Sequence, residues 1–227
     1  MLAACSIGET VADLVSHEWH FGYIRASVMF LSLFAIAVAV ERRRQVASET
    51  RYWTAIVIMS TTGTALADLF TRTLTLGYTN TSLLLITLFA AVLVLVPQAT
   101  AAPRRGRRPV PDLPRPDARY WAAIMVASTL GTSLGDSVSN VLRLGFGHGT
   151  LVLGTLLAAV LVVEHRARTP HEVRYWAALV LTSTIGATSG DFLTKEEGLG
   201  FRFLPVIAAQ VALFVVLAAR RRPQFGI

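Results

Sequence analysis

The sequence predicts an all-α, polytopic membrane protein of eight transmembrane helices arranged as four tandem two-helix parallel repeats. Three observations predict it. Apolar stretches of about twenty residues recur along the whole chain, roughly the length a helix needs to cross about 30 Å of hydrocarbon. A Gly-x-x-x-x-Asp motif returns four times in one register, and the arginines are dealt out between the apolar segments, mostly on one side.

Composition sets the bounds. The 227 residues are 53% hydrophobic and only 15% charged, with a mean hydropathy of +0.54, well outside the globular average. A net charge of +7 would suit nucleic acid if the basic residues formed one patch. They are dispersed instead, so no nucleic-acid partner is expected. Cys5 is the only cysteine, which excludes an internal disulfide. Twenty arginines against a single lysine read as codon bias.

The apolar stretches place helices at about 3–18, 23–40, 53–74, 79–96, 121–142, 148–163, 176–194 and 203–219. Their length and their Ala and Leu content favour helix over strand, and open sheet edges are not tolerated in lipid.

The repeat fixes the organisation. Its copies run from Gly8 to Asp13, Gly63 to Asp68, Gly131 to Asp136 and Gly186 to Asp191. Twelve residues before the glycine stand Arg51-Tyr52-Trp53, Arg119-Tyr120-Trp121 and Arg174-Tyr175-Trp176. Nine residues after the aspartate stand Gly22-Tyr23, Gly77-Tyr78, Gly145-Phe146 and Gly200-Phe201. The copies are spaced by 55, 68 and 55 residues, and the extra length falls in a Pro/Arg-rich stretch. The chain therefore divides into repeats 1 and 2 over 1–96, a cytoplasmic linker over 97–118, and repeats 3 and 4 over 119–227. A first copy equal to the others needs about four residues before Met1 for its Arg-Tyr-Trp, so either the true start lies upstream or the first helix is short.

Short loops rich in Lys and Arg stay in the cytoplasm. Sixteen arginines fall on one side, and Arg25, Arg72, Arg143, Lys195 and Arg202 on the other. Both termini are expected on the cytoplasmic face of a bacterial inner membrane, with the Tyr-Trp pairs anchoring the helices at that interface. An even number of spans per copy gives all four one orientation, related by an axis along the membrane normal.

Each first helix carries a small-xxx-small pair immediately before its acid, as in Gly131 and Gly135, which allows close helix approach. Steps of four residues trace one largely polar face. The stripes are Cys5, Glu9, Asp13, His17, then Ser60, Thr64, Asp68, Arg72, then Ser128, Thr132, Asp136, Asn140, then Ser183, Ala187, Asp191, Lys195. Against lipid such faces are costly, so the stripes are expected to meet around a shared interior, with the nearly uniform second helices as the outer wall.

The aspartates have two candidate roles. In one, each pairs with the residue four further on and fixes the turn into the second helix. In the other, Glu9, Asp13, Asp68, Asp136 and Asp191 line a cation pathway, because intramembrane carboxylates mark ion routes. Glu9, Asp13 and His17 are the candidate metal ligands, although donors spread along one helix cannot all touch a single ion. The expected function is a transporter or channel-like carrier for a cation, with a divalent metal ion as the leading substrate. The alternative is a non-transporting membrane scaffold with structural aspartates that docks a partner. The lipid bilayer and the cation are the expected partners, and oligomerisation is left open. No nucleophile elbow, phosphate loop, zinc-protease or nucleotide fingerprint occurs, so an enzyme is not expected.

With these motifs the chain resembles a family of bacterial multipass membrane proteins that carry four tandem two-helix repeats of unknown function. Each repeat there has a characteristic tryptophan, which Trp53, Trp121 and Trp176 match. The resemblance covers almost the whole chain and implies architecture, with no substrate attached.

Overall fold

A computed structural model describes residues 1–43, 48–95, 118–166 and 171–220. Of the expected linker, only Ala118 lies within them. Among the described residues the chain forms eight α-helices and no strand: α1 (Leu2–Asp13), α2 (Tyr23–Arg43), α3 (Glu49–Asp68), α4 (Gly77–Leu95), α5 (Ala118–Asp136), α6 (Gly145–Arg166), α7 (His171–Thr194) and α8 (Phe203–Arg220). They fall on the eight apolar segments. The odd-numbered helices from α3 on start earlier than the hydropathy suggested, because Arg-Tyr-Trp forms their first turns rather than leading into them.

The glycine of each Gly-Tyr/Phe motif has a backbone reason. Gly22, Gly77, Gly145 and Gly200 have φ of +83, +73, +66 and +60°, where a side chain is strained. Each lets the chain reverse and enter the following helix.

Helices α1, α3, α5 and α7 form a closed inner ring: α1 packs on α3, α3 on α5, α5 on α7, and α7 on α1. The other four lie outside. Each packs on the inner helix of the following copy, α2 on α3, α4 on α5 and α6 on α7, and α8 returns to α1.

The small-residue motif makes the ring possible. A Cβ placed on Gly8 would stand 2.6 Å from Ser60 Cβ, one on Gly63 2.8 Å from Ser128 Oγ, and one on Gly131 2.5 Å from Ser183 Cβ. One on Gly186 would collide with Cys5. The same contact therefore recurs between equivalent positions and closes on itself. Lipid tails supply no hydrophobic drive for helix association, so close backbone contact and interhelical hydrogen bonds must hold the bundle. Hydroxyls on the outer helices provide such bonds. Ser27 donates to the Ala65 carbonyl at 2.8 Å, Ser82 to the Ser133 carbonyl at 3.1 Å and Thr150 to Thr188 Oγ1 at 2.8 Å. On α8 the amide of Gln210 donates to Ser6 Oγ at 2.8 Å.

Away from these contacts the outer helices expose large apolar side chains, among them Ile24, Val28, Leu83, Leu151, Leu204 and Val215. Among the described residues, five helices are long and apolar enough to cross a membrane: the four outer ones and α3 with the turn that extends it. The remaining three belong to the ring.

Two of the three repeat tryptophans depart from expectation. Trp121 and Trp176 are buried rather than turned outward as interface anchors. Each sets its ring edge-on to a phenylalanine of an outer helix, Trp121 to Phe34 at 5.9 Å and Trp176 to Phe89 at 5.8 Å, and Trp53 does the same with Phe214 at 6.0 Å. Aromatic pairs favour this geometry, and here it pins the outer helices to the ring.

Candidate functional site

The four polar stripes line the axis of the ring in successive layers. At the Arg-Tyr-Trp end, the Tyr120 hydroxyl stands 2.7 Å from that of Tyr52 and 2.9 Å from that of Tyr175, a hydrogen-bonded chain across the axis. One helical turn deeper, Ile56, Ile124 and Leu179 are buried, with Met1 packed against the same apolar cluster. Next comes a layer of small polar groups. Cys5 Sγ is 3.7 Å from Ser183 Oγ, and Ser60 Oγ donates to the Cys5 carbonyl at 3.4 Å.

The following layer holds Glu9, Thr64, Thr132 and Ala187. Thr64 donates to Glu9 Oε2 at 2.8 Å, Thr132 approaches the same oxygen at 3.3 Å, and the two threonine hydroxyls are 3.2 Å apart. A buried acid is costly without donors, and the equivalent positions of two neighbouring copies supply them.

One turn further stand the four aspartates, all buried. The expected i,i+4 pairing holds for two. Arg72 donates through Nε to Asp68 Oδ1 at 2.7 Å, and Lys195 Nζ stands 2.6 Å from Asp191 Oδ1. It does not hold for the others. Asn140 donates to the backbone carbonyl of Asp136 at 3.0 Å, not to its carboxylate. His17 is exposed, and Asp13 is met by Lys195 at 3.5 Å, across the ring. The Asp136 carboxylate has no hydrogen bond or ion pair among the described residues, although it is only 5% exposed. Lys195 is nonetheless within electrostatic reach of Asp136 and Glu9.

Of the proposed ligands, Glu9 and Asp13 come together with Asp191. One carboxylate oxygen from each lies within 4.8 Å of the other two, close enough to share one ion. His17 stands outside this group. Asp68 and Asp136 share the aspartate layer but not the group.

Several contributors were not apparent as site residues in the sequence. The aromatic residue after the turn glycine covers the cation of the following copy: Arg72 Cζ lies 5.8 Å over the Tyr23 ring and Lys195 Nζ 5.1 Å over Phe146. Three residues after each aspartate a buried hydroxyl recurs, at Ser16, Thr71, Ser139 and Thr194. Those of Thr71 and Ser139 have no hydrogen-bond partner among the described residues. In the first three copies the aspartate is followed by one π-helical turn, Leu14–Glu18, Leu69–Thr73 and Ser137–Val141, whereas α7 stays α-helical to Thr194. Such turns occur often at functional sites. The recurrence of the hydroxyl was visible in the repeat alignment, and the choice of π over α was not.

An all-helical bundle of internal repeats, with five helices long and apolar enough to cross a membrane and its acids turned inward, defines a helical membrane protein. Residues 51–96, 119–169 and 174–222 match the sequence model of the repeat of unknown function (DUF347), and the chain belongs to that repeat family. The three matches begin at or beside Arg51, Arg119 and Arg174, the starts of the Arg-Tyr-Trp motifs. Among curated proteins and among solved structures, none matches the chain.

Proposed function

We propose that this protein is an inner-membrane carrier for a cation, in which all eight helices cross the bilayer as four parallel two-helix repeats with both termini in the cytoplasm. The observation that carries the reading is the convergence of Glu9, Asp13 and Asp191 to within 4.8 Å inside a ring whose outer surface is apolar. Three acids crowded in a low-dielectric interior repel one another and are expensive to hold there. A bound cation offsets that repulsion. Carboxylates without sulfur or imidazole are hard oxygen donors, suited to Mg²⁺, Ca²⁺ or Mn²⁺ rather than to Zn²⁺ or Cu²⁺.

The layers also suggest how access is controlled. Toward the Arg-rich side the axis is blocked by the apolar layer of Ile56, Ile124 and Leu179 and by the chain of tyrosine hydroxyls. The acids lie beyond that block, toward the opposite side. In this reading the carrier is closed on its cytoplasmic side and is not an open channel. Passage of an ion requires the tyrosine chain and the apolar layer to part.

One observation favours the scaffold reading instead: Asp68 and Asp191 are each paired with a basic residue of their own copy, four residues on, as structural acids would be. Reconstitution separates the two. Uptake and efflux of protons and of a panel of metal ions are compared in proteoliposomes for wild type and for folded Asp13→Asn, Asp68→Asn, Asp136→Asn and Asp191→Asn variants. Flux in wild type that vanishes in folded variants supports the carrier. No flux, with variants that differ only in thermal stability, supports the scaffold.

A further inference from the structure

Resting on the cation-site reading, we infer that Lys195 is a tethered counter-ion that occupies the acid cluster and is displaced when a divalent cation binds. Its Nζ stands 2.6 Å from Asp191 Oδ1 and 3.5 Å from Asp13 Oδ2, so it sits between two of the three carboxylates that converge. Its charge also reaches Asp136 and Glu9. A metal ion shared by Glu9, Asp13 and Asp191 would lie where the ammonium is, and two cations cannot share that space. Binding is therefore an exchange.

The contact depends on one cation. Among the described residues, the buried Asp191 Oδ1 has no partner other than the Lys195 ammonium. Asp136, one position around the same layer, is buried and makes no hydrogen bond or ion pair through its carboxylate among the described residues, which leaves a further carboxylate within reach of the ammonium's charge. Lys195 itself is mostly buried but keeps an edge to solvent: its side chain is 24% exposed, it lies just beyond the end of α7, and its ammonium faces the Phe146 ring at 5.1 Å. A four-carbon stem at a helix end can swing its head toward water.

Residue choice agrees. Of the twenty-one lysines and arginines twenty are arginine, and the single lysine stands here. A guanidinium binds carboxylates through a rigid two-pronged fork, whereas an ammonium is a compact point charge on a flexible stem. Arg72, the equivalent residue in the second copy, holds Asp68 through an aligned hydrogen bond and touches no second acid. The copy that faces the acid cluster carries the compact cation on the flexible stem. Codon bias accounts for the arginines but not for the position of this exception.

The single lysine also makes a direct test possible on the unmodified chain. The purified full-length protein in detergent is treated with an amine-acylating ester in the presence of EDTA or of saturating Mn²⁺, and acylation of the Lys195 peptide is followed by mass spectrometry. Displacement predicts slow acylation in EDTA, while the ammonium is held by the acids, and acceleration of about tenfold or more with Mn²⁺. An unchanged or slower rate with Mn²⁺ overturns the proposal, as does the absence of any Mn²⁺ binding by electron paramagnetic resonance. In the same resonance titration, Lys195→Gln should bind Mn²⁺ about tenfold or more tightly than wild type, whereas Arg202→Gln, which removes an exposed charge from the same side, should not. Equal tightening by both substitutions reduces the effect to overall charge and discards a specific counter-ion. Lysine release without ion flux in proteoliposomes retains the counter-ion and discards the carrier. Flux without lysine release does the reverse.

Discussion

Thr64 donates its hydroxyl hydrogen to Glu9 Oε2 across 2.8 Å, joining α3 to α1 at the one layer where a single acid sits among hydroxyls. Thr132 supports the same oxygen from α5 at 3.3 Å. Removing a donor from a buried carboxylate costs about 1–3 kcal/mol, with membrane hydrogen bonds toward the lower end of that range. Thr64→Val should therefore lower the melting temperature of the detergent-solubilised protein, and adding Thr132→Val should lower it further. In a Glu9→Leu background, which leaves no carboxylate to satisfy, both substitutions should cost much less.

The glycine contacts make a sharp comparison. At Gly131 a methyl group would enter the van der Waals space of Ser183, with its carbon 2.5 Å from Ser183 Cβ. At Gly154, on α6, nothing lies within 4 Å. Gly131→Ala should destabilise by about 1–3 kcal/mol or more through overpacking. Gly154→Ala should be neutral or gain about 0.5–1 kcal/mol through helix propensity. Thermal melts of the two variants check both.

Asp68 and Asp136 should separate structure from function. Asp68→Asn breaks an ion pair with Arg72 and should cost about 1–3 kcal/mol, below the figure for a fully buried pair because the Arg72 side chain is 38% exposed. Asp136 makes no ion pair among the described residues, so Asp136→Asn should melt at or above the wild-type temperature while ion flux is lost. A residue that weakens the fold yet is needed for transport is a functional one. A fall in melting temperature for Asp136→Asn comparable to that of Asp68→Asn would count against this assignment.

Tyr120 is the middle link of the hydroxyl chain, bonded on both sides. Tyr120→Phe removes both bonds and leaves the ring in place. If this chain closes the axis, Cys5, buried beyond it, should react faster with a thiol reagent in Tyr120→Phe than in wild type. Tyr23→Phe, at the other end of the bundle, should leave the Cys5 rate unchanged.

Much of the fold was legible in the sequence because the bilayer restricts the choices: apolar runs of spanning length form helices, and a motif repeated in one register implies equivalent packing. The small-xxx-small pairs announced the ring, and the i,i+4 stripes announced which faces meet. What remained hidden depended on contacts between copies. Asp13 meets Lys195 from the far end of the chain because α7 closes the ring onto α1, and no local spacing encodes that closure. His17 fell out of the metal group because four residues along a helix carry it about 6 Å away along the axis, while Asp191 comes in from the neighbouring helix at the same height. The tryptophans looked like interface anchors because composition does not say which face of a helix end is covered. Phe34 and Phe89 cover them from outer helices that are distant in sequence.

The most direct measurement is uptake of Mn²⁺ into proteoliposomes containing wild type or Asp136→Asn, with both proteins first shown to be folded and equally inserted. The carrier predicts saturable uptake by wild type and its loss in Asp136→Asn at unchanged or higher stability. Equal uptake by both proteins, or none by wild type across the divalent cations, would contradict an ion path through the aspartate layer.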